Sequence, residues 1–318
     1  MTRNKPTTTE LYEKLIQKFV EWAKARPDIR TAIVIGSRAR VDHPADEWAD
    51  LDMIVATTNP QHYIATSEWT SEMGKPMLTF IEETSGGDEK ERRVLYEGML
   101  DVDYAIFPAA KVELLQMVEG PEQLPAEMAL QLANTFGRGM RVIVDKDGVT
   151  EKLKALISKI GQSAPSLPTQ DEFLQVVNDF LYHSVWTAKH VLRGELWWGL
   201  TCLNCLLARL LEQMIEWQAR AKHGNSYDTW FRGRFLEMWA DPEALKGLKN
   251  SFAHYKKQDA AVALKATMDL FRKTATDTAN KLSFKYPTDA DRKIAEWIET
   301  YLPSDPEAGH SNRGLPEP

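Results

Sequence analysis

The sequence from Thr31 to Thr57 is TAIVIGSRARVDHPADEWADLDMIVAT. Its first apolar run, Ala32–Ile35, is rich in β-branched residues and predicts a buried strand that ends in the turn Gly36-Ser37-Arg38. A second apolar run, Met53–Ala56, follows Asp50-Leu51-Asp52 and predicts a second strand. Side chains two positions apart on a strand point to the same side, so we expect Asp50 and Asp52 to face the Gly36-Ser37 turn.

Two carboxylates beside a glycine turn are typical of metal-assisted phosphate chemistry. Mg²⁺ prefers oxygen ligands and keeps coordination positions open for substrate phosphates, so Asp50 and Asp52 are candidate ligands. Gly36 lets the backbone approach a triphosphate closely, and nearby amides and the Ser37 hydroxyl can bind phosphate oxygens. Arg38 can add a charge-assisted, bidentate contact. A Gly-Ser turn or an Asp-x-Asp pair alone is common, so the prediction depends on their combination and spacing.

The composition is typical of a globular protein with room for two domains. The chain has 318 residues, of which 43% are hydrophobic and 27% charged. It contains no apolar run of about eighteen residues, and MTRNKPTTTE at the N-terminus lacks the apolar stretch of a signal peptide, so we expect a cytoplasmic protein without membrane contact. Cys202 and Cys205 lie in an apolar helical pattern, which predicts reduced core thiols rather than a disulfide or metal site.

The net charge of −7 bears on which partners the chain can have. Proteins that follow nucleic-acid phosphates are basic, so the charge disfavours a polymerase-type role and predicts no nucleic-acid partner. An acidic cleft concentrates cations through its summed field. The charge is therefore consistent with a small cationic substrate.

The remainder of the first half predicts a mixed sheet flanked by helices. Apolar residues recur at helical spacing from Leu11 to Ala23 and predict an N-terminal helix. Further strands are expected at Met77–Ile81, Arg92–Tyr96, Leu100–Phe107 and Arg141–Val144, the middle two forming a hairpin around Gly98. Glu82 and Glu83 follow a strand and enter a turn-rich stretch. Two interpretations remain open for them, as residues facing the site or as solvated surface.

The second half has helical periodicity throughout. Helices are expected at Asp171–Leu192, Leu200–Lys222, Trp230–Trp239, Pro242–Tyr255, Ala260–Lys281 and Asp289–Tyr301. The second has the broadest apolar stripe and should lie centrally in a bundle. The fold class is thus α/β plus all-α, with domains at 1–160 and 161–302, a linker near Ser163–Pro168, and a disordered polar tail at 303–318.

Gly36-Ser37-Arg38 followed by Asp50-Leu51-Asp52 resembles the signature of the polymerase-beta-like nucleotidyltransferases. The longer pattern is similar to their small-molecule branch, the aminoglycoside 6-adenylyltransferases that inactivate streptomycin. The resemblance implies a third metal carboxylate on a later strand. The segment Tyr96–Pro108 fits that strand with Asp103 at the matching place, although Asp101, two residues earlier, remains an alternative.

The resemblance extends over most of residues 10–300. Short stretches of the helical half contribute to it, namely Asn178-Asp179-Phe180, Leu192–Leu196 and Met214–Trp217. It implies that Lys189 contacts the triphosphate, where the alternative is a solvated lysine. It also implies that Asp179 serves the ammonium groups of the substrate or acts as a base, where the alternative is a surface or capping role.

The implied reaction is Mg²⁺-dependent transfer of AMP from ATP to a hydroxyl of an aminoglycoside, with streptomycin expected and pyrophosphate as the second product. Asp50, Asp52 and Asp103 would hold the metal, and Gly36, Ser37 and Arg38 the triphosphate. Asp103, Glu82, Glu83 and Asp179 are candidates for the base. Two alternatives stay open, the same chemistry on another acceptor such as a lincosamide, and a nucleotide-binding regulatory module without activity.

Overall fold

The structure is a computed structural model that describes residues 6–84, 89–115, 117–160 and 167–302. The chain divides into two units, Met1–Ser163 and Ala164–Pro318. The predicted tail at 303–318, the turn-rich residues 85–88 and most of the predicted linker lie outside the described residues. The first unit combines strands with helices and the second is helical, so the predicted fold class is confirmed.

A six-stranded mixed sheet forms the centre of the first unit. Its strands are β1 (Ile29–Ile35), β2 (Leu51–Thr57), β3 (Pro76–Glu83), β4 (Lys90–Tyr96), β5 (Leu100–Pro108) and β6 (Arg141–Asp145). They lie in the order β3-β4-β5-β2-β1-β6, in which only the β2–β5 pair is parallel. The hairpin around Gly98 and the strand predicted at Arg141–Val144 are confirmed, and this strand lies at an edge of the sheet.

Helices cover both faces of this sheet because its central strands are apolar on both sides. On one face α1 (Thr8–Lys24) buries Leu15, Ile16 and Phe19, and α2 (Pro60–Ala65) adds Tyr63. The capping box of Thr7 and Glu10 fixes the start of α1. On the other face, helices pack against alternate residues of β1 and β2. These helices are α3 (Ala109–Leu115), α4 (Ala126–Phe136) and α5 (Thr150–Ile160).

The second unit is a helical bundle around one apolar core. Its helices are α6 (Gln170–Leu192), α7 (Leu196–Thr201), α8 (Ala208–His223), α9 (Leu236–Trp239), α10 (Pro242–Leu248), α11 (Lys257–Leu282) and α12 (Thr288–Tyr301). A π-helical segment, Cys202–Leu207, joins α7 to α8, and this continuous helical path buries Leu203, Leu211 and Met214. The predicted broad apolar stripe is therefore confirmed as part of the core.

Two predicted helices of the second unit are wrong in extent. Within Trp230–Trp239 the backbone is left-handed at Trp230, Arg232 and Phe235, so only its last turn, α9, is α-helical, after a short 3-10 turn at Phe231–Gly233. The helix predicted at Pro242–Tyr255 ends at Leu248. Beyond it the Asn204 side chain accepts from the Ala253 N–H and donates to the Ala253 carbonyl, so these backbone groups are satisfied without a helix.

The prediction that both cysteines are core thiols is wrong for one of them. Both are free thiols, but only Cys202 is buried, whereas Cys205 is exposed. The helical phase explains the difference, because three residues of a π-helical segment turn Cys205 away from the core that Cys202 enters. Within the described ranges, no helix is both long and apolar enough to cross a membrane.

Candidate active site

A row of paired residues crosses the sheet of the first unit at one level. In strand register, Asp52 of β2 pairs with Ile35 of β1 on one side and with Asp103 of β5 on the other. Asp103 in turn pairs with Arg93 of β4. Residues paired in register share a face of the sheet, and neighbouring strands lie about 4.8 Å apart. The fold therefore brings Asp52 and Asp103 together, with Arg93 next in the row.

The Gly36 turn packs directly against Asp52. Gly36 has a φ of +66°, and a Cβ built on it would lie 2.2 Å from Oδ2 of Asp52. Any larger residue would therefore meet both backbone strain and the carboxylate. Next to it, the Ser37 Oγ is buried and has no hydrogen-bond partner among the described residues. A buried hydroxyl of this kind needs a ligand or water partner, which is what phosphate binding would provide.

Asp50 does not lie on a strand with Asp52, contrary to the prediction from the sequence. β2 begins at Leu51, so Asp50 belongs to the preceding loop, and the pleat of the strand does not set its direction. Arg38 instead holds this part of the loop, because its Nε donates to the Asp50 carbonyl at 2.9 Å and its Nη2 to the Ala49 carbonyl at 2.5 Å. The Arg38 guanidinium lies 3.7 Å from the centre of the Tyr12 ring. Contact between Arg38 and a triphosphate stays a prediction.

The surroundings of Asp103 favour its protonated form. Burial raises the pKa of Asp103 to about 6, and the charges of Glu91, Asp50 and Asp101 act in the same direction. Arg93 opposes this shift, with its Nη1 3.4 Å from Oδ2 of Asp103. A divalent cation close to Asp103 would also oppose the shift, because it favours the ionised carboxylate.

Arg93 and Glu91 are site residues that the motif analysis misses. Arg93 makes ion pairs with Glu91 at 2.6 Å and with Glu82 at 2.7 Å, in addition to Asp103. The hairpin signal contains this information, since pairing of Tyr96 with Leu100 in the turn places Arg93 opposite Asp103.

Asp101 and Asp103 have different partners despite their spacing. Oδ1 of Asp101 accepts a hydrogen bond from the Tyr12 hydroxyl at 2.8 Å, and the Asp101 N–H donates to the same hydroxyl at 3.1 Å. Asp103 instead lies beside Asp52 in the parallel register. This arrangement supports Asp103 as the third carboxylate, and Asp101 as a partner of α1.

Glu82 and Glu83 point to opposite sides of the sheet. Both are the last residues of β3 and not part of a turn, so they alternate between faces. Glu82 pairs with Glu91 in register and binds Arg93, which places it on the face of Asp103. Glu83 pairs with Lys90 and lies on the other face. The first interpretation, a residue that faces the site, therefore fits Glu82. Glu83 lies on the opposite face of the sheet and does not belong with the candidate site.

The donor set of the site fits a hard divalent cation that is shared with a substrate. Asp50, Asp52 and Asp103 offer only carboxylate oxygens, which suit Mg²⁺ better than the nitrogen and sulfur ligands typical of zinc. In the described part of the chain, no three acidic, imidazole or thiol groups form a ready metal cage. Mg²⁺ commonly takes one or two carboxylates and completes its shell with water and substrate phosphates. The unpartnered Ser37 hydroxyl, next to the Gly36 turn that contacts Asp52, could donate a hydrogen bond to such a phosphate.

Asp179 and Lys189, the two predicted site residues of the second unit, both lie on α6 but point in different directions around the helix axis. Asp179 pairs with His183 at 2.6 Å, and Trp186 and His190 continue the same helical stripe. Lys189 is exposed beside this stripe, with its Nζ 6.0 Å from the ring centre of Trp297 on α12. The stripe is a half-buried aromatic surface with one carboxylate, a combination that suits a cationic ring compound. The roles of Asp179 and Lys189 stay predictions.

Comparison with known proteins matches almost the whole chain to one family. The family model described as streptomycin adenylyltransferase matches residues 9–301. An aminoglycoside 6-adenylyltransferase of Campylobacter jejuni is 21% identical over 285 residues, covering 88% of this chain and 91% of the relative. Another of Bacillus subtilis (strain 168) is 22% identical over 293 residues, covering 90% and 96%.

One solved structure extends the comparison to coordinates. A crystal structure of an aminoglycoside 6-adenyltransferase from Bacillus subtilis is 19% identical, with a TM-score of 0.42, covering 93% of this chain and 99% of that chain. The family match spans both units and includes every residue of the candidate site. The chain therefore belongs to the streptomycin adenylyltransferase family of nucleotidyltransferase enzymes.

Proposed function

We propose that this protein transfers AMP from ATP to a hydroxyl group of streptomycin in a Mg²⁺-dependent reaction that releases pyrophosphate. The observation that carries the proposal is the register pairing of Asp52 with Asp103 directly beside the Gly36-Ser37 turn. Membership of the family supports an aminoglycoside as the acceptor class. We place the reaction in the cytoplasm, where ATP is available.

In the proposed reaction this chain has to orient the triphosphate, hold the cation and accept the proton of the acceptor hydroxyl. The oxygen of the acceptor hydroxyl bonds to the α-phosphorus, the bond from that phosphorus to the bridging oxygen breaks, and pyrophosphate leaves. The Gly36 turn and the Ser37 hydroxyl would bind phosphate oxygens and orient the triphosphate. Asp50, Asp52 and Asp103 would hold the cation. A divalent cation bound there would stabilise the charge that develops on the phosphate oxygens.

The acceptor hydroxyl must also lose its proton, and Asp103 is the first candidate for the base. A base must be ionised to accept a proton, and the cation that Asp103 would hold opposes the effect of burial, which raises the pKa of Asp103 to about 6. Glu82 is a second candidate because it shares the face of Asp103 through Arg93. Glu83 loses this role because it lies on the other face of the sheet.

The two glutamates give a matched pair of variants. Glu82→Gln removes a charge that holds Arg93, so we expect kcat to fall several-fold, whereas Glu83→Gln should leave kcat unchanged. Because the same substitution is made on adjacent residues of β3, we expect similar effects on the stability of the strand. Steady-state kinetics of the two variants therefore shows whether the charge on the face of Asp103 matters for turnover. Equal losses in both variants would contradict the assignment of Glu82 to the site.

Carboxylates of the chain would bind the cationic groups of the acceptor. Asp179 is the proposed contact in the second unit, where its partner is now His183. A guanidinium or ammonium group of the acceptor would take over from that imidazole. Lys189, an exposed cation on the same helix, is proposed as a triphosphate contact.

The test of substrate choice uses purified protein with ATP, Mg²⁺ and a panel of antibiotics, with mass spectrometry to detect added AMP. We expect streptomycin to be modified, and its KM to rise with salt because partly exposed ion pairs are screened over about 8 Å at physiological ionic strength. Asp179→Asn should raise the KM of streptomycin more than that of ATP. Modification of a lincosamide but not streptomycin would reject the aminoglycoside, and binding of ATP without any transfer would favour the regulatory module.

A further inference from the structure

We propose that Tyr12 and Arg38 form a clamp that positions Asp50, so that Arg38 supports the Asp50 loop rather than binding the triphosphate. The inference rests on the function proposed above, because it concerns the metal site of that reaction. It makes Tyr12, a residue outside the nucleotide motif, a positioning residue for catalysis. We use the term clamp for Tyr12, Arg38 and their contacts to Ala49, Asp50 and Asp101.

The first part of the clamp is a pair of hydrogen bonds from Arg38 to the backbone just before β2. The guanidinium is a planar fork with fixed N–H directions, and two of its donors are used by the carbonyls of consecutive residues, Ala49 and Asp50. Residues 39–50 contain neither strand nor α-helix, so no regular backbone ladder holds them. The Ala45 N–H also donates to the Ser37 carbonyl, which ties the middle of this loop to the same turn.

The second part of the clamp is the Tyr12 ring, which contacts the guanidinium group that also binds the two carbonyls. Tyr12 is only 1% exposed, and its ring centre lies 3.7 Å from the Arg38 carbon Cζ. The Tyr12 hydroxyl makes two hydrogen bonds with Asp101, because it donates to Oδ1 and accepts from the backbone N–H. A cation held over a buried ring is worth more than an exposed one because water competes less. The ring thus fixes where Arg38 can lie.

The clamp matters for Asp50 more than for the other two carboxylates. Asp52 and Asp103 lie on adjacent strands, and the sheet fixes their backbones. Asp50 precedes β2, and its carbonyl is bound by Arg38. Loss of the clamp should therefore loosen one carboxylate of three, which weakens metal binding without disturbing the strands. The expected signature is a higher Mg²⁺ requirement, while the acceptor KM stays unchanged.

The central experiment compares Tyr12→Leu with Tyr63→Leu. Tyr63 is a close match for Tyr12, since it is also 1% exposed and its hydroxyl donates to a carboxylate, Asp28, at 2.6 Å. Its ring contacts Trp22 and Trp69. Both variants remove a buried phenol from the same core cluster, so both should lower the melting temperature by similar amounts. Only Tyr12→Leu removes the ring under Arg38.

We expect Tyr12→Leu to raise the Mg²⁺ concentration for half-maximal rate about tenfold, which corresponds to about 1.4 kcal/mol. Tyr12→Phe keeps the ring but loses the two hydrogen bonds to Asp101, so its Mg²⁺ requirement should lie between those of the wild type and Tyr12→Leu. Tyr63→Leu should leave the Mg²⁺ requirement unchanged despite its lower melting temperature. Equal Mg²⁺ requirements in the two leucine variants would overturn the clamp and indicate general loosening of the core.

Arg38→Lys tests the clamp at its other partner and serves if Tyr12→Leu does not fold. Lysine keeps the charge but lacks the planar fork that bridges two carbonyls. The clamp predicts a raised Mg²⁺ requirement with an unchanged KM for ATP at saturating Mg²⁺. A raised KM for ATP with a normal Mg²⁺ requirement would identify Arg38 as a triphosphate ligand and overturn the proposal.

Calorimetric titration of Mg-ATP separates failure of the clamp from failure of the proposed reaction. If the wild-type protein transfers AMP to no acceptor, the proposed function fails, but binding of Mg-ATP still reports on the metal site. Weaker binding by Tyr12→Leu than by Tyr63→Leu would then support the clamp. Equal binding by the two variants would reject it.

Discussion

Replacement of Asp52 or Asp103 by asparagine is expected to lower kcat by about 10²-fold or more, because each change removes a charged ligand from the proposed cation. Asparagine has nearly the same shape as aspartate, so the sheet register that holds both residues should survive. Circular dichroism and thermal unfolding of each variant establish that the fold is intact before kinetics are measured. Near-normal turnover in a folded Asp52→Asn variant would reject the metal assignment.

Asp101→Asn is the matched control for Asp103→Asn, since both residues lie on β5 two positions apart. An asparagine at 101 can still accept the hydrogen bond from the Tyr12 hydroxyl, so we expect little loss of activity. A large loss at Asp101 with none at Asp103 would move the third carboxylate by two residues. Equal large losses would indicate that both carboxylates contact the reacting groups.

The two central motif strands of the first unit are predictable because each contains an apolar run that is bounded by turn or polar residues. The runs Ala32–Ile35 and Met53–Ala56 both lie inside observed strands, and Gly98 marks the turn of the β4–β5 hairpin. Such signals are local in sequence, so they survive without knowledge of tertiary contacts. The pairing of Asp52 with Asp103 is not local, because a parallel pair requires a long crossover. Resemblance to a family, rather than periodicity, indicates Asp103.

The site residues that sequence reasoning misses are those defined by partners on other elements. Arg93 has an ordinary sequence context in β4, and its relation to Asp103 follows only from the strand register. The alternation rule fails for Asp50 because the strand starts one residue later, and a side chain, Arg38, then decides where the loop lies. Trp230–Trp239 also fails as a helix. Three of its non-glycine residues have a positive φ, which helical periodicity does not predict.

Replacement of Gly36 by alanine is expected to abolish most of the activity, with a loss of about 10²-fold or more in kcat. The new Cβ would lie 2.2 Å from Oδ2 of Asp52, far inside contact distance. The atom that must give way is the functional atom itself, because a carboxylate can rotate more easily than two paired strands can move apart. The variant should therefore fold while its Asp52 carboxylate is displaced from the phosphate site.

Gly148→Ala controls for backbone strain in this experiment. Gly148 has a φ of +68°, against +66° for Gly36, so an alanine at either position costs about 1 kcal/mol or slightly more in backbone strain. A Cβ on Gly148 would meet nothing within 4 Å among the described residues. Both variants should thus lose similar melting temperature, whereas only Gly36→Ala should lose turnover and Mg-ATP affinity. If the two variants retain equal activity, the close approach of the turn to Asp52 has no part in catalysis, and the phosphate site must lie elsewhere on the sheet.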